Sequence, residues 1–250
     1  MSSSTDTGLD PQIQAGLGNL VIVVGDNKHW LGHHLSKWSV GAPGLESAVA
    51  AAAIAQGQFG QARALLPFAN KLIPNEIAPP AERQRRYNVA ALDDEFATWS
   101  KAVITLLLVD PALNVVLRSL EKTQDELKRR IGRVLEESRF YVDFAIGRLA
   151  ELTESWEHGR SQVTPHVVPV LTEMLCWFGP DGEPGVAALN AAGVLNLDNE
   201  AMRQAYLDEV APTLLRYGYD IPVTGEPGAW TLTEELPWAS WNNLQRRLER

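Results

Sequence analysis

Four long stretches of this chain carry apolar residues at three- and four-residue steps, the spacing that lines one face of an α-helix. In the first, beginning at Asp10, Leu17, Leu20, Val24, Leu31 and Leu35 share a face. Pro11 suits the first helical turn. The run Leu20-Val-Ile-Val-Val24 would also suit a short buried strand, but no other segment offers it a partner, and helix is the preferred reading. Gly41-Ala-Pro-Gly44 breaks the chain before a second, alanine-rich helix over residues 45–72. A third spans residues 93–120. A fourth spans residues 123–155, with the stripe Leu127, Ile131, Val134, Ser138, Val142, Ile146 and Leu149. Pro67 and Pro111 are expected to kink or end their helices. Shorter helices are expected over residues 165–178, 199–217 and 238–248. The pattern predicts an all-α chain: a long antiparallel four-helix bundle with additional C-terminal helices. It forms one domain over residues 10–250, after a disordered polar tail at 1–9.

The balance of charge narrows the partners. Lys plus Arg number 22 and Asp plus Glu 31, a formal net charge of -9. An acidic chain is repelled by phosphate, so neither nucleic acid nor an anionic membrane is expected as a partner. The single cysteine, Cys176, lies in an apolar run and reads as a buried, inert thiol in a reducing compartment. The N-terminus lacks the basic start and apolar run of a signal peptide. The run over residues 103–109 is too short to cross a bilayer, and a cytoplasmic location is expected. There is no Walker loop, dinucleotide fingerprint, C-x-x-C pair or nucleophile elbow. His29 and His33 stand four apart, but no acidic H-E-x-x-H pattern accompanies them. A partly exposed pair near a helix end is the simpler reading.

The long helices also carry polar residues on or near their apolar stripes. Gln58 and Gln61 interrupt the face of the second helix at a three-residue step. Ser138 and Tyr141 repeat that step on the fourth. Lys28 falls between Val24 and Leu31 on the first, and Asp110 is an acid within an apolar run on the third. A bundle that holds a di-iron centre needs one carboxylate from each of two helices and a Glu-x-x-His pair from each of the other two. No such pair is present here. By spacing alone these residues can equally be unrelated polar groups at helix margins.

The segment GDNKHWLGHHLSKW (25–38) resembles the first helix of the phenylacetic acid catabolic protein family, the oxygenase subunits of phenylacetyl-CoA epoxidase. IAQGQFGQARAL (54–65) resembles its second helix, LLLVDPALN (106–114) its third, and EESRFY (136–141) its fourth. WNNLQR (241–246) resembles its closing helix. The likeness covers most of residues 15–250 and is greatest to the non-catalytic structural subunit. It implies a ferritin-like fold. Where the metal-binding members carry Glu-x-Gly-His, this chain has Gln58-Phe-Gly-Gln61. Where they carry Glu-x-x-His, it has Ser138-Arg-Phe-Tyr141. Their helix-one acid falls near residues 26–28, where Lys28 faces the core; Asp110 alone keeps its acid. Amide, hydroxyl and ammonium cannot replace hard anionic ligands around iron. The resemblance therefore implies no metal, no cofactor and no catalytic residue of the chain's own. Lys28, Gln58, Gln61, Asp110, Ser138 and Tyr141 would mark a lost di-iron site.

In that setting the Lys28 ammonium is expected to pair with Asp110, with Gln58, Gln61 and Tyr141 bonding to the pair. The resemblance implies a scaffold role beside a metal-bearing catalytic subunit of the same family, with a reductase in the assembly and a homo- or hetero-oligomeric state. Trp30, Trp38, Trp156, Trp230, Trp238 and Trp241 are candidate interface anchors. Two other readings stay open. Asp26, Glu46, Asp110 and Glu137 could support an unusual metal site or metal-free acid–base chemistry in an oxygenase-like enzyme, or the bundle could bind a small molecule by itself. Arg83, Arg85 and Arg86 read as a solvated loop that could also meet phosphates.

Overall fold

The computed structural model describes residues 8–73, 89–120, 125–156, 158–243 and 245–249. Helix α1 (Pro11–Ser36) starts under an Asp10 cap, whose carboxylate accepts from the Gln12 amide at 2.8 Å. A single turn, α2 (Trp38–Gly41), leads to α3 (Leu45–Leu72). Helices α4 (Trp99–Ser119) and α5 (Asp125–Glu154) complete the four-helix bundle. In it α1 packs on α3, α4 on α5, α1 on α4 and α3 on α5. Helices α6 (Gly159–Trp177) and α8 (Asn199–Arg216) cover the other side of α4, and α7 (Pro184–Ala191) packs on α1. The fold is an all-α, ferritin-like helical bundle.

Two helices have stretches that are enclosed on every side. Residues 20–28 of α1 and 102–117 of α4 are buried without interruption. An apolar stripe one face wide cannot do this; the helix must be apolar all round. That explains why the β-branched run from Leu20 to Val24 is helical. Surrounding helices bury its side chains on all sides, and packing overrides a weak intrinsic preference. α4 is the helix among the described residues that is long and apolar enough to cross a membrane, and 94% of its most apolar window is buried inside the bundle. The expected span of residues 103–109 was therefore too short: the apolar stretch is a whole helix, enclosed by protein.

Glycines set the distance between α1 and α3. Gly18, Gly25 and Gly32 recur every seven residues and all face α3 or the residue that follows it. A Cβ at Gly32 would stand 3.0 Å from the Ala55 carbonyl oxygen and 3.0 Å from Gln58 Cβ. Ala51, Ala55, Ala62 and Ala69 are buried on α3. Small residues on both helices bring the backbones close and draw Gln58 toward the bundle interior.

Several boundaries differ from expectation. Pro67 and Pro111 lie inside unbroken helices. A proline there costs about 3 kcal/mol through a lost hydrogen bond and a clash, and burial on all sides of α4 offsets it. α4 begins at Trp99, where the Thr98 hydroxyl caps the Lys101 amide, and not at residue 93; a 3-10 turn over Ala90–Leu92 precedes it. α6 starts six residues before the expected 165, running through Pro165 and Pro169. α7 was not expected. The closing helix over 238–248 is absent. In its place a 3-10 turn (Trp238–Ser240) leads into a short antiparallel pair, β3 (Trp241–Asn242) with β4 (Arg247–Leu248). A second short pair, β1 (Val223–Thr224) with β2 (Thr231–Leu232), precedes it. At the turn of the last hairpin Arg246 adopts φ 51°. Its guanidinium donates to Glu183 at 3.1 Å and to the Phe178 carbonyl at 3.1 Å, while Arg247 pairs with Asp93. Those tertiary bonds outweigh the local helical pattern. Of the tail, residues 1–7 lie outside the described residues, as do Arg83, Arg85 and Arg86.

Candidate functional site: a buried ion pair between the central helices

Lys28 enters the interior from α1 and Asp110 from α4. Both side chains are 0% exposed. Lys28 Nζ donates to Asp110 Oδ1 at 2.7 Å and to Asn114 Oδ1 at 3.2 Å. Asn114 stands one turn beyond Asp110 on α4, and its Nδ2 donates back to Asp110 Oδ2 at 3.0 Å. Gln58 reaches in from α3 and donates to Asp110 Oδ1 at 2.6 Å. The carboxylate thus accepts three hydrogen bonds, from three helices. Burying the two charges is tolerable only because each is met by the other and by fixed dipoles; an unpaired buried charge costs several kcal/mol.

The expected ring around Lys28 is corrected in two places. Gln61 turns toward α5. Its Nε2 lies 3.4 Å from the Val134 carbonyl and 3.3 Å from Glu137 Oε2, and Ser138 Oγ meets its Oε1 at 3.5 Å. Tyr141 does not bond the ion pair either: its hydroxyl sits against Gly57, where a Cβ would overlap it. Burial, then the negative charges of Glu137 and Asp110, push the Tyr141 phenol up to about 12. The polar residues therefore form two layers. Lys28, Asp110, Asn114 and Gln58 make the inner one; Gln61, Ser138, Glu137 and Tyr141 make the outer one along α5. The step from 58 to 61 turns the two glutamines by about 60° around the helix, enough to send one to α4 and the other to α5.

Asn114 was missed by sequence reasoning, although its i+4 spacing from Asp110 in an otherwise apolar helix was a readable signal. Asp26 and Asn27 are buried beside Lys28, and Asn27 bridges the Val23 carbonyl to the Val89 amide at 3.0 and 2.8 Å. Of the acids considered for an unusual metal site, Glu46 is exposed on α3 and does not join Asp110. Among the described residues no three His, Cys, Asp or Glu side chains come together as metal ligands. The inner layer offers one carboxylate, one ammonium and two amides. Gln58 Oε1 is buried with no donor of its own, so even the amide nearest Asp110 presents only a weak neutral oxygen. This donor set does not fit a di-iron centre, whose cationic charge needs several anionic ligands.

The remaining candidates resolve by burial. Cys176 is buried, and desolvation pushes its thiol up to about 12. His34 Nε2 meets the Leu92 carbonyl at 2.9 Å, while His29 and His33 are half-buried among Trp30 and Phe59. Trp230 is a core residue at 6% exposure, its Nε1 donating to Asp208, and is not an interface anchor. Trp156, at 37%, is the most exposed of the six tryptophans considered.

One family model, described as phenylacetic acid catabolic protein, matches residues 4–249. No curated protein matches the chain.

Proposed function

The chain belongs to the phenylacetic acid catabolic protein family, and from that premise we propose that it is the metal-free structural subunit of a multicomponent, ring-epoxidising oxygenase acting on an aryl-CoA ester. Membership itself implies a component of a phenylacetate-catabolic oxygenase. The finer reading rests on one observation: Lys28, fully buried and bonded to Asp110 and Asn114, holds the bundle interior with a fixed cation of its own. An ammonium paired with one carboxylate balances charge without a metal, so the fold does not depend on one. The work left to such a chain is to present its helical surfaces to a metal-bearing relative, which activates oxygen with electrons from a reductase. Lys28, Gln58, Gln61, Asp110, Ser138 and Tyr141 then have no catalytic role; they hold the interior together.

The test is elemental mass spectrometry on the purified chain after growth with added iron, followed by co-purification with a family member that retains Glu-x-x-His pairs. Iron, manganese or zinc below about a tenth of an equivalent, with a stable complex that turns over substrate, is the expected result. Near-stoichiometric metal surviving chelator washing would sink the reading.

A further inference from the structure

Along the line where α3 meets α5 the surface opens into a cleft of about 650 Å³. Its α3 wall is made of Gly57, Gly60 and Ala64, which carry no side chain larger than a methyl group. Nothing lies within 4 Å of where a Gly60 Cβ would stand, so the space is open there. Gln61, 2% exposed, lines the floor and bonds across to the Val134 carbonyl of α5. The α5 wall carries three arginines, Arg129, Arg130 and Arg133. On a chain of net charge -9 such a concentration of cations runs against the overall balance.

The three arginines differ in what they meet. Arg130 is engaged within the chain, donating to the Ala64 carbonyl at 2.6 Å and to Glu126 at 2.9 Å. Glu126 also accepts from Lys71 at 3.2 Å, and Arg130 and Lys71 together hold its carboxyl below the usual range. Arg129 and Arg133 are exposed, and neither has an ion-pair partner among the described residues. Four residues apart, they share one face of α5, where like charges repel. A ligand with two negative charges removes that repulsion, and guanidinium forks match phosphoryl oxygens in pairs. A phosphate monoester carries close to about two charges at neutral pH; a carboxylate carries only one.

The rest of the cleft indicates what bears the phosphate. Among the described residues no aromatic side chain lines it, so a nucleotide base has no platform on which to stack. Glu137 stands one turn beyond Arg133. One of its oxygens accepts from Gln61 at 3.3 Å, and the other has no donor among the described residues. A carboxylate oxygen in that position repels a second anion and accepts from hydroxyl groups. The missing side chains at Gly57 and Gly60 leave room for a hydroxylated body beside it.

We propose that the cleft between α3 and α5 binds a phosphorylated polyol of the sugar-phosphate class. Arg129 and Arg133 hold its phosphoryl group, and Glu137 accepts from its hydroxyls over Gly57 and Gly60. The assignment stands independently of the metal-free reading, because Lys28, Asp110, Asn114 and Gln58 do not line the cleft.

The test is isothermal titration calorimetry on the full-length chain at physiological ionic strength. The probes are glucose 6-phosphate, inorganic phosphate, glucose and AMP. One equivalent of glucose 6-phosphate is expected to bind. Inorganic phosphate should compete with it more weakly, glucose alone should not bind, and AMP should bind no tighter than phosphate. Arg129→Gln and Arg133→Gln should each weaken glucose 6-phosphate at least about tenfold, roughly 1.4 kcal/mol. Gly60→Leu fills the open space and Glu137→Ala removes the hydroxyl acceptor. Each should abolish the advantage of glucose 6-phosphate over phosphate while phosphate itself still binds. Melting curves of the Arg129, Arg133 and Gly60 variants should be unchanged, which separates lost binding from lost folding. A chain that binds none of the probes at millimolar concentration overturns the proposal, and so does binding indifferent to both arginine changes. Phosphate bound as tightly as glucose 6-phosphate would make the cleft a plain oxyanion site, and AMP bound more tightly would make it a nucleotide site; either result overturns the polyol assignment.

Discussion

Lys28 Nζ and Asp110 Oδ1 lie 2.7 Å apart, on helices α1 and α4, with neither side chain open to solvent. The geometry makes the two residues interdependent. Lys28→Met leaves Asp110 buried with amide donors only, and Asp110→Leu leaves the ammonium facing Asn114 alone. Each single change is expected to destabilise the chain by about 3–5 kcal/mol. The double variant, with an apolar pair of similar volume, should recover much of that loss. Urea unfolding of the four proteins measures the coupling. Additive losses would show that the pair is not the unit.

Gly57 and Tyr141 form a second, steric dependence. A methyl group at residue 57 would overlap the Tyr141 hydroxyl, so the phenol ring must shift out of its packed position. Gly57→Ala is expected to cost about 1–3 kcal/mol, the usual range for overpacking, despite alanine's better helix propensity. Pairing it with Tyr141→Ala should relieve the clash. A stabilised single variant, read by thermal melting, would contradict the packing described here.

Alkaline titration reports on the same tyrosine. Its phenol is raised to about 12 by burial and by neighbouring acids. The sign follows directly. The unfolded chain ionises near the ordinary value of 10, the folded chain does not, and the stability this residue contributes is lost as pH rises from about 10 toward 12. Tyr141→Phe should remove that share of the alkaline loss. Absorbance at the phenolate band, compared between wild type and Tyr141→Phe, should show no Tyr141 ionisation at pH 10.

The thiol of Cys176 is predicted to be inert in the folded chain. It is buried, and desolvation raises it to about 12, so thiolate is scarce at neutral pH. A colourimetric thiol reagent should label less than about a tenth of the chains at pH 8 before unfolding and nearly all of them in denaturant. Rapid labelling of the folded protein would mean that α6 opens locally.

Much of this was legible from residue types alone. The 3.6-residue period located α3 to its ends, Leu45–Leu72, and α5 to within two residues. It also placed Lys28, Gln58 and Asp110 on inward faces. That works because a helix is a local object, whose face is set by spacing along the chain. Local pattern misled most plainly where distant contacts outweighed it. The last residues read as a helix, yet Arg246 and Arg247 find Glu183, the Phe178 carbonyl and Asp93 across the fold, and a hairpin results. Pro67 was expected to kink α3 or end it early and Pro111 to kink α4; both lie within helices that run on past them.

The sequence by itself determined that the chain is an all-helical bundle with polar residues on its inner faces and without paired carboxylate–histidine ligands. Only the tertiary structure decided which of those residues touch. Gln58 meets Asp110 while Gln61, three residues on, turns to Val134 and Glu137; Asn114 completes the inner layer; and Tyr141 ends against Gly57. Periodicity sets the direction a side chain leaves its own helix. The glycine-spaced approach of α1 to α3, and the placing of α4 beside both, set what it meets.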